Sequence, residues 1–229
     1  MRLLIASAVC LLIIACVPPR ERAPHPVREP AGANVQRVYY DVVGASTGEL
    51  LASLKERGRT ATQTDSNFAR TTWTVVWTGQ WAPAEGDSLL CATTSSVARL
   101  ESQMALPRWQ PSPGASGGLA HDWSRFVRNL TGHENGHLVT AVAAAKQVEE
   151  QLKGLRAQCG TMEAAAHATI DSIVASFRLI DEDYDRRTSY GAAQGAVWPP
   201  RTSPRLRIPG PEEAVRVAPN PAMPDNRRP

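Results

Sequence analysis

The chain lacks a dominant charge. Its 25 lysines and arginines stand against 22 aspartates and glutamates, a formal net charge of +3. That small, dispersed excess gives no basic stripe for a nucleic-acid backbone, so no nucleic-acid partner is expected. Beyond its N-terminus it also lacks any apolar run of about 20 residues, which excludes an internal membrane-spanning helix. There is no internal repeat, and so no sign of a solenoid or propeller. Cysteine is scarce, four in 229 residues, and no C-x-x-C spacing occurs. A cysteine-based zinc site is therefore disfavoured.

What is present begins with an export signal. Met1-Arg2 gives a short positive start, and Leu3 to Ala15 is an apolar stretch too short to span a bilayer. Ile13-Ile14-Ala15-Cys16 resembles the lipobox of bacterial lipoproteins, which implies lipidation of Cys16 after removal of residues 1–15. The expected location is the cell envelope, membrane-anchored on the periplasmic side. Val17 after the cysteine favours the outer membrane over the inner. Cys10 leaves with the signal and Cys16 carries lipid. Cys91 and Cys159 remain, an even pair in an oxidising compartment, and are expected to form a disulfide.

Residues 16–34 are rich in proline and charge and read as a flexible tether. Residues 199–229 read as a disordered tail of interleaved proline and arginine. The domain between them, residues 35–198, is expected to be α+β: a small, largely antiparallel sheet packed on a long helical hairpin. Val35 to Val43 has strand character. Ser46 to Arg57 reads as a helix capped by Ser46 or Thr47 and stopped by Gly58. Phe68 to Trp81 and Ser88 to Leu106 read as strands, the second broken near Glu101, with a turn over Pro83 to Asp87. Pro107 to Gly118 reads as a loop. Leu119 to Cys159 has helical periodicity, and Trp109 and Trp123 are expected in the core. Ala166, Ile170, Ile173, Phe177, Ile180 and Tyr184 then step by alternating fours and threes, the seam of a second helix. The two helices are expected to fold back on each other near residue 160.

The long helix carries His133-Glu134-Asn135-Gly136-His137, an H-E-x-x-H motif. Residues at i and i+4 share one helix face about 6 Å apart, so two imidazoles can grip one zinc ion at about 2.0–2.1 Å each. Glu134 stands beside the first ligand, where a carboxylate can take a proton from zinc-bound water and hand it to a leaving amine. Asn135 is expected to face solvent. Gly132 and Gly136 are expected to let the sheet approach the helix.

A catalytic zinc ordinarily has a third protein ligand. Two common positions for one are occupied here by Ala143 and Ala157. Glu149 and Glu150 lie about 18–20 Å along the helix, too far to reach. Folding the hairpin about residue 160 brings His137 level with residue 183 and His133 level with residue 187. The acidic run Asp181-Glu182-Asp183-Tyr184-Asp185 therefore returns to the motif, and Asp183 and Asp185 become candidate ligands. His167 falls about 24 Å away along the axis and is expected to be an ordinary surface histidine.

These residues resemble DUF922, a bacterial family of predicted secreted zinc-dependent proteases. The likeness spans about Val38 to Pro199. It includes Tyr39-Tyr40-Asp41-Val42, the strand Trp73 to Trp77, Leu106-Pro107-Arg108-Trp109, and the H-E-x-x-H motif. It also includes the segment from Tyr184 to Gly191 with Gln194-Gly195-Ala196. The resemblance implies a third histidine ligand just before Gly191, where this chain has Tyr190. Tyr190 is then either a weak ligand or a transition-state hydrogen-bond donor, or Asp183 or Asp185 completes the site. The resulting expectation is a zinc metallopeptidase acting on a peptide or protein, with Zn2+ as cofactor. The rival reading is a non-catalytic envelope binding module with a degenerate metal site. Hydrolysis of a cell-wall amide is a third reading.

Overall fold

The computed structural model describes residues 28–63 and 67–200. The signal, Cys16, most of the tether and the tail from residue 201 lie outside the described residues.

The sheet grows from one hairpin. Strands β2 (Arg70–Ala84) and β3 (Asp87–Trp109) pair antiparallel through a two-residue turn at Glu85 and Gly86. Gly86 has φ 83°, the positive value that such tight turns favour. β3 runs unbroken through Glu101, contrary to the expected interruption, because Glu101 is exposed while its neighbours keep the strand alternation. It also continues through Pro107 to Trp109, residues expected in a loop. β1 (Val35–Val42) lies on the other edge of β3 in parallel, with Val35 opposite Ser102 and Val42 opposite Trp109. The sheet is therefore mixed: largely antiparallel, as expected, but with one parallel edge. The local turn fixes the direction of β3 against β2, and β1 meets β3 through long-range packing that strand periodicity does not encode.

Helix α1 (Thr47–Thr62) starts at a side-chain cap: Ser46 Oγ accepts from Glu49 N, and Glu49 Oε2 reaches back to accept from Ala45 N, just before the cap. It runs through the expected stop at Gly58 and ends at Gln63, whose φ is 56°. Helix α2 (Gly117–Lys153) is capped by Ser116, whose hydroxyl accepts from Leu119 N. It ends at Gly154, earlier than periodicity predicts. Arg156–Gln158 instead forms a short strand, β4, beside β3, and so brings Cys159 to Cys91. These two cysteines are disulfide-bonded, with Cα atoms 4.8 Å apart. Helix α3 (Met162–Thr188) then returns along α2, burying Ala166, Ile173, Phe177 and Tyr184 of the expected seam.

The core divides along α2. Its first half, with Trp123 and Phe126, packs with β1, α1, Trp109 and Trp198. Its second half packs with Trp73, Val75 and Leu100 of the sheet and with α3. Residues 28–34, placed in the tether by composition, lie against the domain. Ala33 is buried, and its carbonyl accepts from Ser102 Oγ at 2.8 Å. Asn135 is consequently buried rather than solvent-facing, and its amide donates to Arg28 O at 3.1 Å. Among the described residues, no helix is long and apolar enough to cross a membrane.

Candidate metal centre

Three elements meet at the open end of the α2–α3 hairpin. α2 supplies His133, Glu134 and His137; α3 supplies Asp181 and Asp185; the segment after α3 supplies Gln194. His133 Nε2 and His137 Nε2 each lie 3.1 Å from Asp185 Oδ1. Tetrahedral zinc with bonds of about 2.0–2.1 Å separates its ligand atoms by about 3.4 Å, so the three donors already stand close to a metal-binding arrangement. Nitrogen and carboxylate donors of this kind suit zinc and other borderline divalent ions. Among the described residues, His133, His137 and Asp185 form a group of His, Cys, Asp and Glu side chains able to hold a metal ion.

The far nitrogens of both rings are anchored. His133 Nδ1 meets Gln194 Oε1 at 2.9 Å, and His137 Nδ1 meets Asp181 Oδ1 at 3.1 Å. Both partners are acceptors here, so each Nδ1 donates and each Nε2 is left facing the shared centre, the nitrogen a metal would bind after giving up its proton. Asp181 is held in turn by Trp73 Nε1–H at 2.8 Å from Oδ2. Tyr184 wedges between the rings, stacked on His133 at 5.0 Å and edge-on to His137 at 5.2 Å. Its hydroxyl contacts His133 O and the Gln194 side chain. That wedge explains Gly136. A Cβ there would collide with the Tyr184 ring, so the glycine admits a tyrosine from α3, not the sheet as expected. Gly132 has open space around it. Gly191, at φ 81°, lies on the face of the His133 ring, and a Cβ there would press on it at 2.9 Å.

The electrostatics follow from this crowding. Burial opposes charge on His137, but hydrogen bonds to Asp181 and Asp185 and the charge of Glu134 outweigh it and raise its pKa to about 10. Burial likewise opposes charge on Asp185, and its hydrogen bonds to the two histidines more than compensate, holding it below the usual carboxylate range. Burial pushes the Tyr184 phenol up to about 12, which keeps it a neutral donor. A divalent cation among these groups would take the place of the protons that the apposed histidines and carboxylates require.

Glu134 is buried and lines a cleft of about 740 Å³ that also opens onto His133, His137 and Asp185. Its Oε2 accepts from Thr71 Oγ1 of β2 at 2.7 Å. Of the other residues singled out by sequence, Asp183 turns away and pairs with Arg186 and Arg187. Its carboxyl is held low chiefly by the hydrogen bond from Arg186. Tyr190 lines the cleft, 60 % exposed, at φ 52°. His167 is exposed beside Glu163. Thr71 carries no motif that would have marked it, and Trp73 lies in the strand quoted for the family resemblance without a role assigned to it. Gln194 and Gly191 lie within the segment quoted for the family resemblance, but spacing alone assigns them no role.

Fold and site together define an α+β domain with a three-donor candidate metal centre built on a helical hairpin. The chain belongs to the family described as bacterial protein of unknown function, DUF922, whose model matches residues 37–191. No curated protein and no solved structure matches it.

Proposed function

We propose that this domain is a zinc-dependent metallopeptidase of the cell envelope. The observation that carries this reading is the convergence of His133 Nε2, His137 Nε2 and Asp185 Oδ1, with the Glu134 carboxylate in the same cleft. His133, His137 and Asp185 would hold the zinc. Zinc in such a site supplies Lewis acidity, acidifying water and polarising a carbonyl. Glu134, fixed by Thr71, accepts a proton from the attacking water and delivers it to the leaving amine. Gln194 and Asp181 fix the histidine tautomers, and Tyr184 fixes the ring planes. Among the described residues β2 pairs only with β3. The start of β2, with residues 67–69 that lead into it, lines the cleft, where an extended peptide can add as a strand.

The disulfide supports an oxidising compartment, and the lipobox supports an anchor at Cys16. Elemental analysis of the purified protein is expected to give one zinc per chain, lost in His133→Ala. Glu134→Gln should keep the zinc and lower peptide hydrolysis by about 10²–10⁴-fold. Zinc retained with no turnover of any peptide would point to the binding-module reading instead.

A further inference from the structure

The cleft holds two guanidinium groups that the proposed chemistry does not use. Arg70, at the start of β2, and Arg178, on α3, both line it. Arg178 lies 3.6 Å above the centre of the Trp73 ring and donates through Nη2 to Trp73 O. Arg70 donates through Nη1 to Thr62 O at 3.0 Å. Ring and carbonyls orient both side chains but neutralise neither. Among the described residues, no carboxylate lies within ion-pair distance of either one. The acidic groups of the cleft are committed elsewhere: Glu134 to Thr71, Asp181 to His137 and Trp73, and Asp185 to both histidines. Glu182 lines the cleft too, exposed and outside ion-pair reach of both.

We propose that Arg70 and Arg178 form a carboxylate-recognition site, so that the domain favours substrates with a carboxylate close to the bond that is cut. The chemistry is that of guanidinium forks, which present several coplanar donors and match a carboxylate in geometry as well as charge. The two cations also act on one another: burial chiefly lowers the pKa of Arg178, the charge of Asp181 offsets part of this, and the nearby Arg70 charge adds to the lowering. A bound anion relieves that repulsion. The carboxylate is either a substrate C-terminus or an acidic side chain, and the two share this recognition.

This inference rests on the metallopeptidase reading, and its test separates the two. The probes are alkyl hydroxamates ending in a carboxylate or in the matching primary amide, with two to six methylenes between the ends. Binding to the zinc-loaded full chain is measured by calorimetry. The best carboxylate probe should bind about tenfold more tightly than its amide, the scale of a charge-assisted hydrogen bond. Arg70→Gln should shrink that preference to about twofold or less with zinc content unchanged. Arg178→Lys should leave part of it, because the charge stays and the fork is lost. Equal binding of acid and amide probes, or a preference that survives Arg70→Gln combined with Arg178→Lys, overturns the proposal and leaves peptide hydrolysis untouched. A preference retained without turnover of any peptide overturns the peptidase reading alone. Peptides with one glutamate and an amidated C-terminus, set against glutamine peptides with a free C-terminus, then decide between side chain and terminus.

Discussion

The two ends of the α2–α3 hairpin use the same backbone geometry for opposite purposes. At the closed end Ala144, Ala145, Val148 and Leu152 meet Ala166 and Ile173, all apolar and all buried, with the Cys91–Cys159 bond beside them. At the open end the facing positions are His133, His137, Asp181, Tyr184 and Asp185. Burying such groups costs free energy unless every one finds a partner, and burying unpaired charge costs most. Each does find a partner: Gln194 for His133, Asp181 for His137, Trp73 for Asp181. The closed end therefore holds the hairpin together, while the open end holds a geometry.

The sharpest way to test that division is to cut the staple. The disulfide closes a loop between residues 68 positions apart, and such a cross-link stabilises by about 4 kcal/mol through the unfolded chain. Cys159→Ala should lower the stability measured by chemical denaturation by about that amount. Zinc stoichiometry in the folded fraction should stay unchanged. A variant that loses zinc in proportion to stability would show that the two ends are not separable.

Much of this contrast was legible in the chain. The apolar seam from Ala166 to Tyr184 gave the second helix, and folding the hairpin placed the acidic run beside the motif. It could not say which face the run would show. The reflected position is residue 183, yet a helix puts Asp181 and Asp185 on one side and turns Asp183 toward Arg186 and Arg187. Gln194 and Thr71 stayed hidden for another reason. They reach the site through loop and strand contacts across 61 and 63 residues, which no periodicity reports. The buried state of Asn135 depends on residues 28–34, whose composition resembles a tether. The parallel pairing of β1 likewise rests on long-range contact.

At the open end the largest separable effect belongs to Asp181. It orients His137 through one oxygen and is oriented by Trp73 through the other. Asp181→Asn keeps the shape and removes one acceptor. Loss of such an outer partner typically weakens metal affinity about 10–100-fold, and competition against a zinc chelator measures it. An unchanged affinity would mean that the α2 backbone alone orients His137. The pH response should separate the two metal states next. In chelator-treated protein the His137 pKa is raised from 6.5 to about 10. A raised pKa contributes stability that is complete below the ordinary value and is lost as pH climbs through the raised one. The melting temperature should therefore fall between pH 6.5 and 10 with chelator present. The zinc-loaded protein needs neutral imidazoles and should lack that fall, while its zinc affinity weakens toward acid pH. Parallel curves for the two states would contradict this.

The smallest expected effect comes from a histidine that shares the chemistry but not the setting. His167 and Glu163 sit one helical turn apart on α3, 4.0 Å from each other, with side chains 63 % and 76 % exposed. Water and salt screen that pair, and exposed ion pairs contribute little. His137 and Asp181 are 3.1 Å apart with side chains only 11 % and 13 % exposed, so the same two kinds of group interact in a setting that water hardly screens. His167→Gln should shift stability by less than about 0.5 kcal/mol and leave zinc affinity unchanged. His137→Gln should remove the metal. A denaturation curve and a zinc titration on both variants measure the difference. If His167→Gln were as damaging as His137→Gln, burial would not be what distinguishes the two histidines, and the functional weight given to the open end of the hairpin would have to be withdrawn.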